Sequence, residues 1–142
     1  MRLIVDTDVL TLIKRKSQPA YGALRARLEE HPEADLWVTI ISFQEEVKGW
    51  MSFLNKARTP DEILHGYSVL QRVLQDYCRA RVLPFDQAAQ DRFTELQAQR
   101  LRVGTMDLRM ACIAMTTGAI LLSRNLRDFR RVPGLVVEDW TR

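Results

Sequence analysis

The sequence predicts a single α/β domain built on a mainly parallel sheet, and two observations carry that reading. Short β-like runs alternate with longer helical patterns along the whole chain, the signature of strands joined by crossover helices. In addition, 142 residues that are 46% hydrophobic supply enough apolar surface for one packed core and too little chain for two. No repeat, low-complexity tract or long linker interrupts the pattern.

The strand-like runs are 2–5, 37–40, 81–83, 119–122 and 135–137. The first stops at Asp6, a carboxylate at a strand's C-terminal end, where open α/β sheets place their chemistry. After the second run, Phe43, Val47, Trp50, Met51 and Leu54 recur at helical spacing and predict an amphipathic helix with that stripe inward. Pro60 suits the first turn of a helix expected to run towards Ala80, with Ile63, Tyr67, Leu70, Val73, Leu74 and Tyr77 on its inner face. Further helices are expected over about 87–101 and 106–117, the second ended by Gly118 as a C-terminal cap before Ala119-Ile120-Leu121-Leu122.

Bulk charge narrows the function little. A net charge of +3, from 21 Lys and Arg against 18 acids, leaves room for a basic surface without establishing a nucleic-acid partner. Cys78 and Cys112 lack metal or redox spacing, and Cys112 sits in an apolar helical stretch that predicts a buried free thiol. No run approaches membrane-spanning length, and Leu3-Ile4-Val5 is too short for the apolar region of a signal peptide. The expected setting is a reducing cytoplasm with no membrane partner.

Polar groups mark four separate element ends. Asp6 ends the first strand, Glu45 falls in the first turn of the helix after the second, Asp107 opens the helix before Ala119, and Asn125 with Asp128 follows Leu122. Each has a purely structural explanation. Ser42-Phe43-Gln44-Glu45 fits a capping box, and the helix macrodipole favours Asp107 by about 0.3–1 kcal/mol. Asn125 suits the cap of a turn or short helix with Asp128 in its first turn, and Asp6 suits the cap of a first helix.

Convergence weakens those explanations. A parallel sheet brings Asp6, Glu45 and the Asn125/Asp128 pair to one edge, whereas Asp107 needs the preceding loop to carry it across. Two carboxylates about 4 Å apart repel by about 4 kcal/mol at an effective dielectric of 20, so such a cluster calls for protons or a cation. An all-oxygen set suits Mg²⁺ or Mn²⁺; zinc would want His and Cys ligands, and His31 and His65 lie in a polar loop and on a polar helix face. Such a site suits phosphodiester hydrolysis, where the metal lowers the pKa of water and neutralises charge on the phosphate.

Four segments carry a family resemblance: Leu3-Ile4-Val5-Asp6-Thr7-Asp8-Val9-Leu10, Ile41-Ser42-Phe43-Gln44-Glu45-Glu46-Val47-Lys48-Gly49-Trp50, Asp107-Leu108-Arg109-Met110-Ala111-Cys112-Ile113-Ala114, and Leu121-Leu122-Ser123-Arg124-Asn125-Leu126-Arg127-Asp128-Phe129. As an ordered set covering nearly the whole chain, they resemble the PIN domain, and specifically VapC-type toxins. The resemblance implies a three-layer α/β/α domain over residues 1–142, with a central four- to five-stranded sheet. It implies a Mg²⁺-dependent endoribonuclease, usually dimeric and held inactive by a VapB-type antitoxin. It makes Asp6, Glu45 and Asp107 the acidic, metal-binding triad, with Asp6 and Asp107 foremost as direct ligands and Asn125 or Asp128 supplying a fourth catalytic group.

Three residues depart from the pattern: Asp8 stands where the family often has Asn, Ser123 where it often has Thr, and Asn125 where other PIN domains place Asp. Ser123 keeps a hydroxyl able to orient a carboxylate. Asn125 supplies no charge, which leaves the share taken by Asp128 open. The helical wheel puts Glu46 at the edge of the buried face and Glu45 nearly opposite; the family's acid four residues before Gly49 selects Glu45.

Arg124, Arg127 and Arg109 are candidate phosphate contacts beside these motifs, against the plain reading of a solvated mixed-charge surface, which Arg130 and Arg131 share. Trp50, Phe53, Leu54 and Trp140 are candidate dimer contacts or simply core. Three alternatives stand beside a toxin ribonuclease: a stand-alone RNA-processing nuclease, a non-catalytic PIN-like interaction domain, and a phosphatase using Asp6 as nucleophile. Against the phosphatase, the Gly-Thr step expected after the second Asp is missing.

Overall fold

A computed structural model describes residues 1–142. Its elements run β1 (Arg2–Val5), α1 (Thr7–Arg15), α2 (Ala20–Glu29), β2 (Asp35–Thr39), α3 (Ile40–Lys56), α4 (Pro60–Arg79), β3 (Val82–Leu83), α5 (Gln87–Gln97), α6 (Thr105–Thr116), β4 (Ile120–Leu122), α7 (Leu126–Phe129) and β5 (Val137–Glu138). The five strands form one sheet in the order β3-β2-β1-β4-β5, and every pairing is parallel. All five strands therefore end on the same edge. The chain builds outward from β1 through β2 to β3, then crosses to the other side for β4 and β5. The crevice between the ends of β1 and β4 is thus a topological switch point, where such sheets bind ligands.

Strand alternation divides the core into two layers. Ile4 and Leu121 point into a cluster with Phe93, Leu96, Met110 and Ile113 of α5 and α6. Leu3, Val5 and Leu122 point the other way, onto Val9, Leu12, Leu24, Val73 and Tyr77 of α1, α2 and α4. Cys112 is fully buried in the first layer, and that burial pushes its thiol up to about 11. Gly118 takes the left-handed φ of 66° that ends α6 and turns the chain into β4.

Several expectations need correction. β2 spans Asp35–Thr39, so Ile40 already belongs to α3, and Thr39 is the cap, its Oγ1 accepting from Ser42 N at 3.3 Å. Ser42 therefore forms no capping box with Glu45, which falls in the second turn of α3 rather than the first. Met51 is 53% exposed, and Ile63, Tyr67 and Leu74 face solvent. The inner face of α4 is Gly66, Val69, Val73 and Tyr77, because α4 packs tightly on α3 at Gly66. A Cβ there would sit 2.5 Å from Leu54 Cδ2. α5 ends at Gln97, short of Leu101, and β5 is displaced to Val137–Glu138. Leu54 is half-buried against Gly66, and Trp140 is buried at 3% exposure and so belongs to the core.

Candidate active site

The site lies at the switch point. Asp6 follows the last residue of β1, and its amide donates to Leu122 O at 3.1 Å, tying it to the end of β4. Its side chain, 7% exposed, caps α1 by accepting from Val9 N at 2.8 Å and also accepts from the Ser123 hydroxyl. Capping and site membership are thus the same geometry. Burial pushes the Asp6 carboxyl above its ordinary range against those two hydrogen bonds, and the charges of Asp8 and Asp107 push it further.

Glu45 reaches the same edge from α3. Thr7 Oγ1 donates to Glu45 Oε1 at 3.0 Å and lies 3.0 Å from the buried Ser42 Oγ. Burial is the main cause of the raised Glu45 carboxyl; Thr7 opposes it, and Asp107, Asp6 and Glu46 add to it. Glu46 is occupied elsewhere, accepting from the Tyr77 hydroxyl and from Lys14 Nζ at 3.2 Å. Those bonds tie α3 to α1 and α4 and give the two neighbouring acids different partners. A helical wheel misleads here because α3 is contacted on more than one side.

Asp107 enters in the first turn of α6, with burial and then Asp128 raising its carboxyl. Asp128 comes from α7, where the Asn125 side chain holds it: Nδ2 donates to Asp128 Oδ2 at 3.0 Å, and Oδ1 caps the helix by accepting from Asp128 N at 3.4 Å. Of this pair, Asp128 carries the charge that Asp107 senses, and Asn125 positions it. Ser123 Oγ in turn accepts from Asn125 N at 2.9 Å, linking this loop to Asp6.

Asp6, Glu45 and Asp107 are all raised, chiefly by burial; Asp107 pushes on Asp6 and Glu45, Asp6 pushes on Glu45, and none has a Lys or Arg partner. No three of these side chains form a ready-made metal cage. The residues nevertheless fit a hard divalent cation, because the donors are all oxygen and no cationic side chain offsets their repulsion.

The arginines divide. Arg124 makes a two-pronged ion pair with Asp8, Nε and Nη2 each 2.8 Å from a carboxylate oxygen, which neutralises the acid next to Asp6. Arg109 lies over the Phe93 ring, 5.3 Å from its centroid, on the α5 side. Arg127 is exposed beside Asp128 and enters no ion pair. Arg131 spans Arg102 O at 2.9 Å and Asp128 at 3.4 Å. His31 stacks on Trp140, and His65 sits against Trp50 and Phe53. Thr7 is absent from the residues the sequence singles out, although its place beside Asp6 at the sheet edge is the available signal.

A family model described as the PIN domain matches residues 3–135. The chain belongs to the PIN domain family. This PIN domain is similar to the tRNA(fMet)-specific endonuclease VapC of Shigella flexneri, 26% identical over 145 residues and 99% of each chain. It is 38% identical to Ribonuclease VapC2 of Rickettsia felis over 47 residues, a segment spanning 33% of this chain and 35% of that one. Among solved structures, the VapBC-1 complex of nontypeable Haemophilus influenzae contains a chain matching at TM-score 0.72, 22% identical, with 100% of each chain covered. The DNA-bound VapBC of Salmonella typhimurium matches at TM-score 0.70 and 24% identity, covering 99% of this chain and 98% of that one. At those identities the likeness is one of fold, and it confirms the three-layer α/β/α architecture of this PIN domain. No helix is long and apolar enough to cross a membrane.

Proposed function

We propose that this PIN domain is a Mg²⁺-dependent endoribonuclease and the cytoplasmic toxin of a VapBC-type pair, controlled by a VapB-type antitoxin. The observation that carries the reading is the set of three carboxylates at the switch point, each raised chiefly by burial and none paired with a Lys or Arg. A nuclease relative of matching length and solved VapBC complexes with the same fold support it. Asp6 and Asp107 would hold the ion, with Mn²⁺ able to replace it. The bound ion would supply Lewis acidity for the phosphate and a lowered pKa for water. Glu45, steered by Thr7, orients the attacking water and takes its proton; Asp128, held by Asn125, steadies the opposite side. Arg127 is free to hold an RNA phosphate.

A homodimer also belongs to this reading. Ile40 and Met51 are 40% and 53% exposed, and line an open groove with Phe43, Val47 and Phe85 that a second copy would cover.

The test is cleavage of mixed structured RNAs by purified protein with Mg²⁺, with EDTA, and as Asp6→Asn or Asp107→Asn. Cleavage should require Mg²⁺ and vanish in both variants. Undiminished cleavage in either one overturns the assignment.

A further inference from the structure

A second groove opens from the acid cluster between α1, α3 and α4. Thr7 and Glu45 line its inner end, and Gly49, Trp50 and Phe53 carry its wall outward along α3. Trp50 follows Glu45 by five helical residues, about 7.5 Å along the axis. A Cβ built on Gly49 meets no atom within 4 Å, so the groove is open there. From α4, His65 stands edge-on to Trp50 and Phe53 at centroid distances of 5.7 and 5.9 Å, while those two rings pair at 5.3 Å. Trp50 and Phe53 are half-buried and His65 is exposed, so the trio presents ring surface to the groove.

Lys14, Arg15 and Arg72 share the groove lining with Glu45, Glu46 and Asp76, and ion pairing there is uneven. Lys14 is engaged by Glu46 and Asp76, but Arg15 and Arg72 line the same space without an ion pair. Only 4 of the 14 lining residues are hydrophobic, a poor floor for an apolar peptide helix. Free guanidinium groups, accessible aromatic rings and continuity with a carboxylate cluster match a single-stranded nucleic acid, whose phosphates need cations and whose every base has a face to stack.

Resting on the ribonuclease reading, we propose that this groove is a substrate subsite in which an unpaired nucleotide near the scissile phosphate stacks its base on Trp50. Phe53 and His65 fix the indole, and Arg72 holds the nucleotide's phosphate. The subsite selects looped or unpaired RNA, because a base within a duplex cannot leave its stack to reach the indole.

The test uses fluorescence anisotropy of a labelled single-stranded oligoribonucleotide with non-hydrolysable linkages, alongside steady-state cleavage of its hydrolysable counterpart. Trp50→Ala should weaken Kd by about 5- to 100-fold, with the kinetic loss falling on KM more than on kcat, and Trp50→Phe should recover most of it. An abasic residue at one flanking position should cost the unaltered protein a similar factor and cost Trp50→Ala nothing further. Gly49→Leu, at a helix position with open space around it, should obstruct the groove and weaken binding without touching an aromatic ring.

Unchanged Kd and KM in folded Trp50→Ala overturns the subsite, as does additivity of the abasic and Trp50 losses. Oligonucleotide affinity that survives Trp50→Ala while antitoxin affinity falls assigns the groove to the protein partner and also overturns it. Trp50-dependent binding by a protein that cleaves no RNA leaves the nucleotide site standing and removes the ribonuclease reading. Cleavage with Trp50-independent binding does the reverse.

Discussion

Thr7 donates its hydroxyl to Glu45 at 3.0 Å across 38 residues of sequence. The bond joins the first turn of α1 to the second turn of α3, and it lowers a carboxyl that burial and neighbouring acids raise. Removing it should leave Glu45 both less oriented and harder to ionise. Thr7→Val is expected to cut kcat about tenfold, the equivalent of about 1.4 kcal/mol for a hydrogen bond to a charged group. The acidic limb of the pH–rate profile should move to higher pH. Thr7→Ser should restore both, and a profile that stays in place after Thr7→Val would exclude this role for Thr7.

Neighbouring acids on α3 have opposite duties. Glu46 binds Tyr77 and Lys14 and is only 14% exposed, whereas Glu45 faces Asp6 and Asp107. Glu46→Ala should therefore destabilise the fold by about 1–3 kcal/mol, since it leaves a buried tyrosine hydroxyl unpaired, while a folded fraction retains RNA cleavage. Glu45→Ala should abolish cleavage with little loss in denaturant midpoint. Paired urea titrations and activity assays separate the two, and the reverse pattern would exchange their roles.

At Asp6 the helix cap and the proposed ligand share one side chain, and two substitutions pull them apart. Asn preserves the acceptor for Val9 N, so Asp6→Asn should fold with nearly unchanged stability yet lose activity and Mg²⁺ affinity together. Asp6→Ala loses the cap as well, at about 1 kcal/mol. Isothermal titration with Mg²⁺ and thermal melts check both. Full Mg²⁺ affinity in Asp6→Asn would leave the residue a cap alone.

The crowded acids also set a pH dependence. Asp6, Glu45 and Asp107 have folded-state pKa values above their ordinary ones. A carboxyl raised in this way contributes stability that is present below its unfolded pKa and is lost as pH rises through its folded pKa. Metal-free protein should thus lose stability from these groups as pH rises from about 4 towards neutrality. Mg²⁺ should raise Tm more near neutrality than at about pH 5, where protons compete for the same oxygens. Equal increments at both pH values, measured by calorimetry, would count against a carboxylate-bound ion.

Much of the fold is legible in the chain's local patterns. β1 and β4 stand out because short apolar runs end at polar residues or follow a glycine stop, and α6 because its apolar residues fill nearly every side. The inner face of α4 is ambiguous for a definite reason. Ile63, Tyr67 and Leu74 share a helical stripe as apolar as the buried one, and only the close approach of Leu54 to Gly66 shows which side meets α3. The cap of α3 is ambiguous in the same way, since Thr39 and Ser42 are both competent acceptors and the end of β2 decides between them.

By itself, the sequence determined which residue types this protein has at its element ends: Asp6 after β1, Asp107 opening α6, Asn125 and Asp128 after β4. That much follows from local rules of periodicity and capping, which act within a few residues. Tertiary structure decided which acids meet. Glu45, which the family pattern selects against the helical wheel, joins Asp6 while Glu46 is held by Tyr77 and Lys14, and Asp128 presents charge to Asp107 while Asn125 holds it, because hydrogen bonds across the fold orient side chains that helical periodicity alone does not place. Repulsion between carboxylates depends on distance in space, and only the folded sheet edge brings residues 6, 45, 107 and 128 within reach of one another.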